Sequence, residues 1–423
     1  MTYYIRAEVF KHSMVMQSSL TTNKNYNQEA VDLARKISLI TRERHAKWLV
    51  SLKYLLDQSD VDGVLSRQGE FCDSVILHEK ERITDNQRLL LECESSRVKE
   101  RRQAIEERQK IHSFVVDDVA TYAQEQIFEK LASSPINKIF NRFPDFSHFM
   151  SIAYSPSLNY TKLSVLTTND TQLKSEVIEL ANNPKFCDRI GKSPRNLQDP
   201  KVAIGTLGIE NSALLFPILM ARRLLRWQDK PTKNIAPKLW QHLILTANVT
   251  RLRLEQGNAK NPEQGVLLGV LRTLSHFAVV NHFTQMYEDA LVDKMRYYRE
   301  NNMREEYYAC ADVTPNLSII PKLITSLEQT ITQKLVDTLE WTPFIMHMKT
   351  ALQEDLDEVP ILERSEAGVA LAQAQAYAIY DGLERSNVFV EKHKPFWFAN
   401  VQMSAESIQN IRNKHPGKVE LSS

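Results

Sequence analysis

The sequence predicts an all-α protein, and the prediction rests on its glycines, its prolines and the spacing of its apolar residues. Only 11 of 423 residues are glycine, whereas a share of about 7% is usual. Glycine forms the tight turns of β-hairpins and the phosphate-binding turns of nucleotide folds, so a chain this poor in glycine should be mostly helical. No proline precedes Pro135, and a stretch without proline favours long uninterrupted helices.

Composition also excludes several classes of protein. Hydrophobic residues make up 43% of the chain and charged residues 25%, as in ordinary globular proteins. Because 53 basic residues balance 52 acidic ones, no net charge attracts the chain to nucleic acid or anionic lipid, and we expect neither as a partner. The four cysteines form no C-x-x-C pair and no glycine-rich nucleotide motif occurs, so we expect no zinc ribbon and no cofactor.

Two features predict a cytoplasmic protein that does not span a membrane. The first 16 residues carry Arg6, Glu8 and Lys11 where a signal peptide would have its apolar core. No run of 18 uncharged apolar residues occurs, although a membrane-spanning helix needs about 20.

Residues 1–114 are expected to form a helical N-terminal region. Between residues 28 and 56, apolar residues recur at steps of three and four, which predicts one buried helix face. This stripe consists of Ala30, Leu33, Ala34, Ile37, Ile40, Trp48, Leu52 and Leu55. After a break at residues 59–69, a second helix is predicted from about residue 70 towards residue 113.

The second predicted helix is strongly charged, with 17 charged residues among the 32 of Glu79–Lys110. Its apolar positions fall nearly once per heptad, half as often as a coiled-coil seam requires. These positions are Ile76, Ile83, Leu90, Val98 and Ile105. Two interpretations stay open, a helical hairpin with one solvated face and a helix that binds a partner or a second copy of the chain.

Residues 115–423 are expected to form a second unit of shorter helices, because prolines recur every few tens of residues after Pro135. The two most apolar segments, residues 237–256 and 263–283, should lie in its core. The last residues, from Asn413 onward, are expected to be frayed.

Landmarks in this second unit resemble the HD-related output domain, usually written HDOD. In the order of that family they are Phe143-Pro144 before a helix, Asp170, the helix end Leu180-Ala181-Asn182, Ala203-Ile204 with Leu207-Gly208, Trp240 with His242, the apolar helix after Glu263-Gln264, and a weaker Trp341-x-Pro343. The resemblance covers about residues 130–350, and the order and spacing of the landmarks carry it. From the residues themselves we expect Asp170 to cap a helix and Gly208 to allow close helix packing.

The resemblance implies an HD-type metal site from which ligands are missing. The parent HD superfamily hydrolyses phosphoesters with a metal held by a histidine, a His-Asp pair and a later aspartate. His242 stands at the first histidine, whereas Arg272 and Thr273 stand at the pair. A guanidinium has no lone pair to offer a metal, and a single hydroxyl is a poor substitute for a carboxylate. We therefore expect no metal and no catalytic residue, with these three as vestigial positions.

Two further histidines, His276 and His282, follow Arg272 on the helix predicted for residues 263–283. His276 lies four residues after Arg272 and shares its helix face, whereas His282 points in another direction. We expect His242 and His276 to be buried core histidines and not ligands of a rebuilt metal site.

A basic cluster follows the landmark that contains Leu207-Gly208 along the chain. It consists of Arg222, Arg223, Arg226, Lys230 and Lys233, with Trp227 among them and Asp229 as the one acidic residue. Such a cluster can hold an anion or a partner. It also fits a solvated helix C-terminus, where cations complement the helix dipole.

The resemblance implies a bacterial regulatory protein of signal transduction that acts through contacts with signalling proteins and not through turnover. In that interpretation the N-terminal helices are an input or homodimerising part. A metal-dependent phosphohydrolase with altered ligands, acting on a nucleotide or cyclic dinucleotide, is the alternative. A helical scaffold without regulatory function is the third hypothesis, since fold does not determine function.

Overall fold

A computed structural model describes residues 18–55, 92–193 and 195–421, and the regular structure of these residues is entirely helical. The all-α prediction is confirmed. The first ten helices are α1 (Gln28–Val50), α2 (Glu92–Ser133), α3 (Ile136–Ile139), α4 (Phe146–Ala153), α5 (Tyr160–Asn169), α6 (Thr171–Asn182), α7 (Pro184–Arg189), α8 (Pro200–Leu207), α9 (Ile209–Arg222) and α10 (Ala236–Gln256). The others are α11 (Gln264–Glu300), α12 (Arg304–Ala309), α13 (Ile320–Thr338), α14 (Met346–Leu356), α15 (Glu366–Arg385), α16 (Lys394–Asn400) and α17 (Ala405–Asn413).

The helices α10 and α11 form the centre of the core, as predicted from their apolar sequences. They pack against each other, α15 covers α10, and α2, α9 and α13 cover α11. Two glycines of α11 allow the close approach. A Cβ atom on Gly269 would lie 2.6 Å from the Cα of Ala247, and one on Gly265 would lie 2.7 Å from the backbone nitrogen of Arg251.

Gly208 has a different role from the one predicted. It joins α8 to α9, which are bent by 111° at this point, and its φ of 88° lies in the region that favours glycine. No atom lies within 4 Å of the position where a Cβ would stand. The expectation of close packing at Gly208 is therefore wrong, and the residue is needed for its backbone conformation.

Five successive helices, α4 to α8, begin after an asparagine or aspartate that caps them. In each case the side chain accepts a hydrogen bond from a backbone N–H of the first turn. The capping residues are Asp145, Asn159, Asp170, Asn183 and Asp199. The expectation that Asp170 is a helix cap is confirmed.

The buried face of α1 differs from the predicted stripe. Its buried residues are Ala34, Ile37, Ser38, Thr41, His45, Ala46, Trp48, Leu49 and Val50. Leu33 and Ile40, which the stripe included, are 44% and 47% exposed, as is Leu52 of the following turn at 44%. The buried face of α1 has the helical period, but it includes the polar residues Ser38, Thr41 and His45. A pattern of apolar residues alone therefore does not identify it.

The long helix α2 runs through residues 114 and 115, where the boundary between two units was predicted. From Val115 onward it buries a stripe against α11 and α13, whereas all residues from Arg97 to Lys110 are exposed. The predicted break and the helix positions before residue 91 lie outside the described residues. In the part of the chain that is described, α1 and α2 both contribute to one hydrophobic core with the later helices.

The prediction that the C-terminal residues are frayed is wrong for residues 413–421. The buried side-chain amide of Asn248 on α10 donates to the carbonyl of Pro416 at 2.9 Å and to that of Lys418 at 3.1 Å. Arg189 donates to the carbonyl of Val419 at 2.8 Å. These contacts hold the tail on the core, because buried donors require partners.

Among the described residues, α11 and the bent pair α8–α9 are long and apolar enough to resemble membrane-spanning segments. For α11, 94% of its most apolar window is buried inside the protein. The central position of α11 in the core accounts for its apolar sequence.

Candidate functional site

The three positions that the resemblance implies are vestigial lie in the interior at the contact of α10 with α11. His242 on α10 is 5% exposed, and Arg272 and Thr273, one turn after Gly269 on α11, are 4% and 2% exposed. The close approach of the two helices at Gly269 brings these positions together. Each of the three side chains has a distinct set of contacts.

Arg272 is the centre of a buried ion-pair cluster. Its Nη1 lies 2.5 Å from Oε1 of Glu328 on α13, and its Nε lies 2.5 Å from Oδ2 of Asp355 on α14. Arg364 pairs with the other oxygen of Asp355 at 2.9 Å. The guanidinium thus joins one carboxylate on α13 and one on α14 to α11, and both carboxylates are already neutralised by arginines.

The charges in this cluster stabilise one another against the cost of burial. Burial disfavours the charged form of Asp355, but Arg272 and Arg364 outweigh it and lower the pKa of that carboxyl to about 2. Burial likewise opposes ionisation of Glu328, and Arg272 nevertheless holds its pKa well below the usual value. The two carboxylates in turn raise the pKa of Arg272 against the effect of burial. The cluster is therefore fully ionised at neutral pH.

Thr273 uses its hydroxyl within its own helix. The Oγ1 atom donates to the carbonyl of Val270 at 2.9 Å and to that of Gly269 at 3.1 Å. This is the ordinary contact of a threonine with the preceding turn.

A second cluster, of three neighbouring imidazoles, adjoins the first. The ring of His242 lies 5.6 Å from that of His276 on α11 and 4.7 Å from that of His45 on α1, measured between centroids. Nε2 of His276 lies 3.6 Å from Oε1 of Glu328, which links the two clusters. Trp48 stacks on the outer side of His45 at 5.5 Å.

Each imidazole has a buried nitrogen without a partner. These atoms are Nε2 of His45, Nδ1 of His242 and Nδ1 of His276. Burial, reinforced by the neighbouring His276, lowers the pKa of His45 to about 3. Burial, reinforced by His45 and His276, also lowers the pKa of His242 well below its usual value. His45 and His242 are neutral at physiological pH.

The residues at the vestigial site do not fit a metal ion. A guanidinium with no lone pair stands at the position of the expected histidine, and the nearby carboxylates are engaged by Arg272 and Arg364. Across residues 18–55, 92–193 and 195–421, no group of three or more histidines, cysteines or carboxylates has the geometry to hold a metal. His282 is elsewhere, with Nε2 2.6 Å from the carbonyl oxygen of Ile139.

Sequence reasoning missed His45, Glu328, Asp355 and Arg364, although a signal for three of them is present. Glu328 follows Ile324 by four residues and precedes Ile331 by three, so it interrupts the apolar face of α13. Asp355 continues the buried face of α14 after Ala351 and Leu352, and His45 continues that of α1. A charged or polar residue in the register of a buried face is the signal, because burial demands a partner for it.

The basic cluster of residues 222–233 is only partly a free surface. Arg223 forms a two-point ion pair with Asp170, with 2.8 Å between Nη1 and Oδ1. Arg222, Arg226, Lys230 and Lys233 are exposed. The Arg223–Asp170 pair borders an open cleft of about 450 Å³, which Phe143 and Pro144 also line.

A known domain family matches the part of the chain that contains the three positions. The sequence model of the HDOD domain family matches residues 143–310, which include α4 to α12. No curated protein matches the chain. A solved structure, from Shewanella amazonensis SB2B and described as a metal-dependent phosphohydrolase, is 9% identical with a TM-score of 0.39, covering 68% of this chain and 99% of its own. Residues 143–310 thus match the HDOD domain family, and this range contains His242, Arg272 and Thr273.

Proposed function

We propose that the chain is a cytoplasmic bacterial regulatory protein that acts through protein contacts and not through catalysis. The observation that carries this proposal is the buried guanidinium of Arg272, which two carboxylates hold at the position where the HD superfamily has a metal ligand. A metal-dependent hydrolase needs an ion to acidify water and to neutralise phosphate charge. Here the guanidinium of Arg272 supplies the positive charge.

The residues that surround the vestigial site support the same proposal. Glu328, Asp355 and Arg364 all follow residue 310, and His45 precedes residue 143, so each lies outside the match to the HDOD domain. The flanking helices therefore fill and cover the vestigial site with their own side chains. Such an arrangement favours a stable interior over access for a substrate.

A hydrolase assay with a matched histidine variant tests the proposal. The full chain is incubated with phosphomonoester, phosphodiester and cyclic dinucleotide substrates in the presence of Mn²⁺, Fe²⁺ or Ni²⁺. We expect the wild type to show no hydrolysis that is lost in the His242→Ala variant. His282→Ala is the control, because His282 lies on α11 outside the imidazole cluster. Turnover lost in His242→Ala and retained in His282→Ala would instead establish the alternative, a phosphohydrolase with altered ligands.

We also propose that a second copy of the chain is among the partners, through the N-terminal helices. Residues 97–110 of α2 are all exposed, and Val98 and Ile105 lie one heptad apart at 41% and 56% exposure. Two such positions can meet their equivalents along a helix pair. Sedimentation velocity of the full chain should show a dimer that Ile105→Glu converts to a monomer. A monomeric wild type would contradict this contact.

A further inference from the structure

The polar face of α1 is the feature that leads beyond the proposed function. This helix lies across α13, α15 and α16 and closes the imidazole cluster with His45. Three polar atoms of α1 are buried there without partners, namely Thr41 Oγ1, Arg44 Nε and His45 Nε2. On the opposite side, His242 Nδ1 and His276 Nδ1 are also unpartnered. Unpartnered buried polar atoms weaken a contact, because they lose their hydrogen bonds to water and gain none.

Arg44 donates through Nη2 to the carbonyl of Val388 at 2.9 Å, and Arg35 forms an exposed ion pair with Glu358. Further polar contacts of α1 lie at its C-terminal end, around Trp48. The indole of Trp48 donates to the hydroxyl of Ser386 at 2.8 Å, and its ring covers Gly382 of α15, where a Cβ would stand 3.0 Å from the indole. The ammonium of Lys238 donates to the carbonyl of Trp48 at 2.5 Å and lies over its ring. One aromatic residue in a glycine-lined site, with polar contacts around it, is how a helical segment commonly anchors in a groove.

The chain before α1 is held far more completely. The carbonyl of Leu20 accepts from buried Arg253 and Gln373 at 2.8 and 3.0 Å. Gln402 accepts from the backbone of Thr22 and exchanges hydrogen bonds with the backbone of Lys24. Residues 20–24 are therefore held by several hydrogen bonds to the core, whereas the adjoining α1 has buried polar atoms without partners.

We infer that the groove beneath α1 is a protein-binding surface and that α1 is its internal ligand. The surface is formed by α10, α13, α15 and α16 and ends at His242. Its partner is an amphipathic helix with an aromatic residue to cover Gly382 and a hydrogen-bonding side chain to reach the imidazoles. The partner binds by displacing α1. This inference rests on the proposed regulatory function, for which it names the contact surface.

Hydrogen–deuterium exchange of the unmodified full chain provides the first test. We expect amides of α1 to exchange through a local opening, at least about tenfold faster than the core amides of α10 and α11. Trp48→Ala should accelerate exchange in α1 by a further factor of about ten while α10 and α11 stay protected. Leu39→Ala, at an α1 position that is 64% exposed, is the matched control and should change nothing. Exchange of α1 only together with α10 and α11 would overturn the inference.

Peptide binding provides the second test. A fluorescent peptide of residues 26–55 is titrated into the full-length Trp48→Ala chain and into the wild type. We expect the peptide to bind the variant at least about tenfold more tightly, because the internal ligand of the variant competes less well. The same peptide carrying Trp48→Ala should bind neither chain. Equal affinity for the two chains, or no binding to either, would overturn the inference.

The two proposals fail independently in these tests. Neither exchange nor peptide binding involves hydrolysis. Hydrolysis that depends on His242 would therefore overturn the proposed function without changing what the exchange and binding experiments show about α1. Conversely, an α1 that never opens would overturn the internal-ligand inference and leave the interpretation of Arg272 unchanged.

Discussion

Two polar clusters lie side by side around the contact of α10 with α11, and they differ in how completely their atoms are partnered. In the ion-pair cluster, Arg272 and Asp355 are each held by more than one partner of opposite charge. In the imidazole cluster, each of the three rings retains a buried nitrogen without a hydrogen bond. One side of the vestigial site is therefore held by ion pairs, whereas the side closed by α1 is held by ring contacts and by Trp48.

The largest effect is expected from breaking the ion-pair cluster. Arg272→Met removes the arginine from the partly buried carboxylate of Glu328 and one of the two arginines from the buried carboxylate of Asp355. The loss of one partner from a buried pair costs about 3–5 kcal/mol in the free energy of unfolding. Urea denaturation measures the change. Arg296→Ala is the control, because its pair with Asp293 is exposed, and it should cost less than about 0.5 kcal/mol. A loss below about 1 kcal/mol for Arg272→Met would mean that the cluster does not hold the site together.

The next effect concerns the helix contact that places Arg272. Gly269→Ala puts a methyl group 2.6 Å from the backbone of Ala247, so α10 and α11 must separate, and we expect a loss near 3 kcal/mol, the upper part of the range of about 1–3 for overpacking. Gly205→Ala on α8 is the matched control, since nothing lies within 4 Å of its Cβ position. That substitution should stabilise the protein by up to about 1 kcal/mol through helix propensity. Equal effects of the two variants would contradict the close approach.

A smaller effect, specific to the imidazole cluster, is expected on acidification. The pKa of folded His45 is about 3, while the unfolded chain takes up this proton near pH 6.5. Stability is therefore retained above pH 6.5 and decreases as the pH falls below it. By pH 5 the loss amounts to about 2 kcal/mol for one such histidine. Asp355, with a pKa of about 2, stays ionised throughout this interval. Unfolding free energies at pH 5 and 7 measure the slope, and a flat profile would contradict neutral buried imidazoles.

The smallest effect is expected at His45 itself. His45→Phe keeps a ring between Trp48 and His242 and removes an unpartnered nitrogen, so stability at pH 7 should change by less than about 1 kcal/mol. In the same variant, the free energy of unfolding should lose the part of its pH dependence that comes from protonation of His45 in the unfolded chain. The two clusters would then differ as described, with Arg272 intolerant and His45 tolerant of an apolar replacement. A loss above about 3 kcal/mol would show that His45 is as necessary as a buried ion pair.

More of the fold than of the site could be predicted from the sequence, for physical reasons. Local signals such as the capping Asp170 act within one turn of a helix and are visible in the sequence. The partners of Arg272 lie 56 and 83 residues away, and no local rule pairs them. His45 was missed because its helix face was traced through apolar residues only. The resemblance to HDOD indicated that Arg272 was unusual, but the structure was needed to show which charges neutralise it.

The metal content of the purified full chain tests the central claim most directly. The protein is isolated without chelator or added metal, and iron, manganese, zinc and nickel are measured per mole of chain. If Arg272 supplies the positive charge of the site, the sum should stay below about a tenth of an equivalent. About one equivalent or more, lost on His242→Ala and retained on His282→Ala, would contradict the account and make the phosphohydrolase the better interpretation.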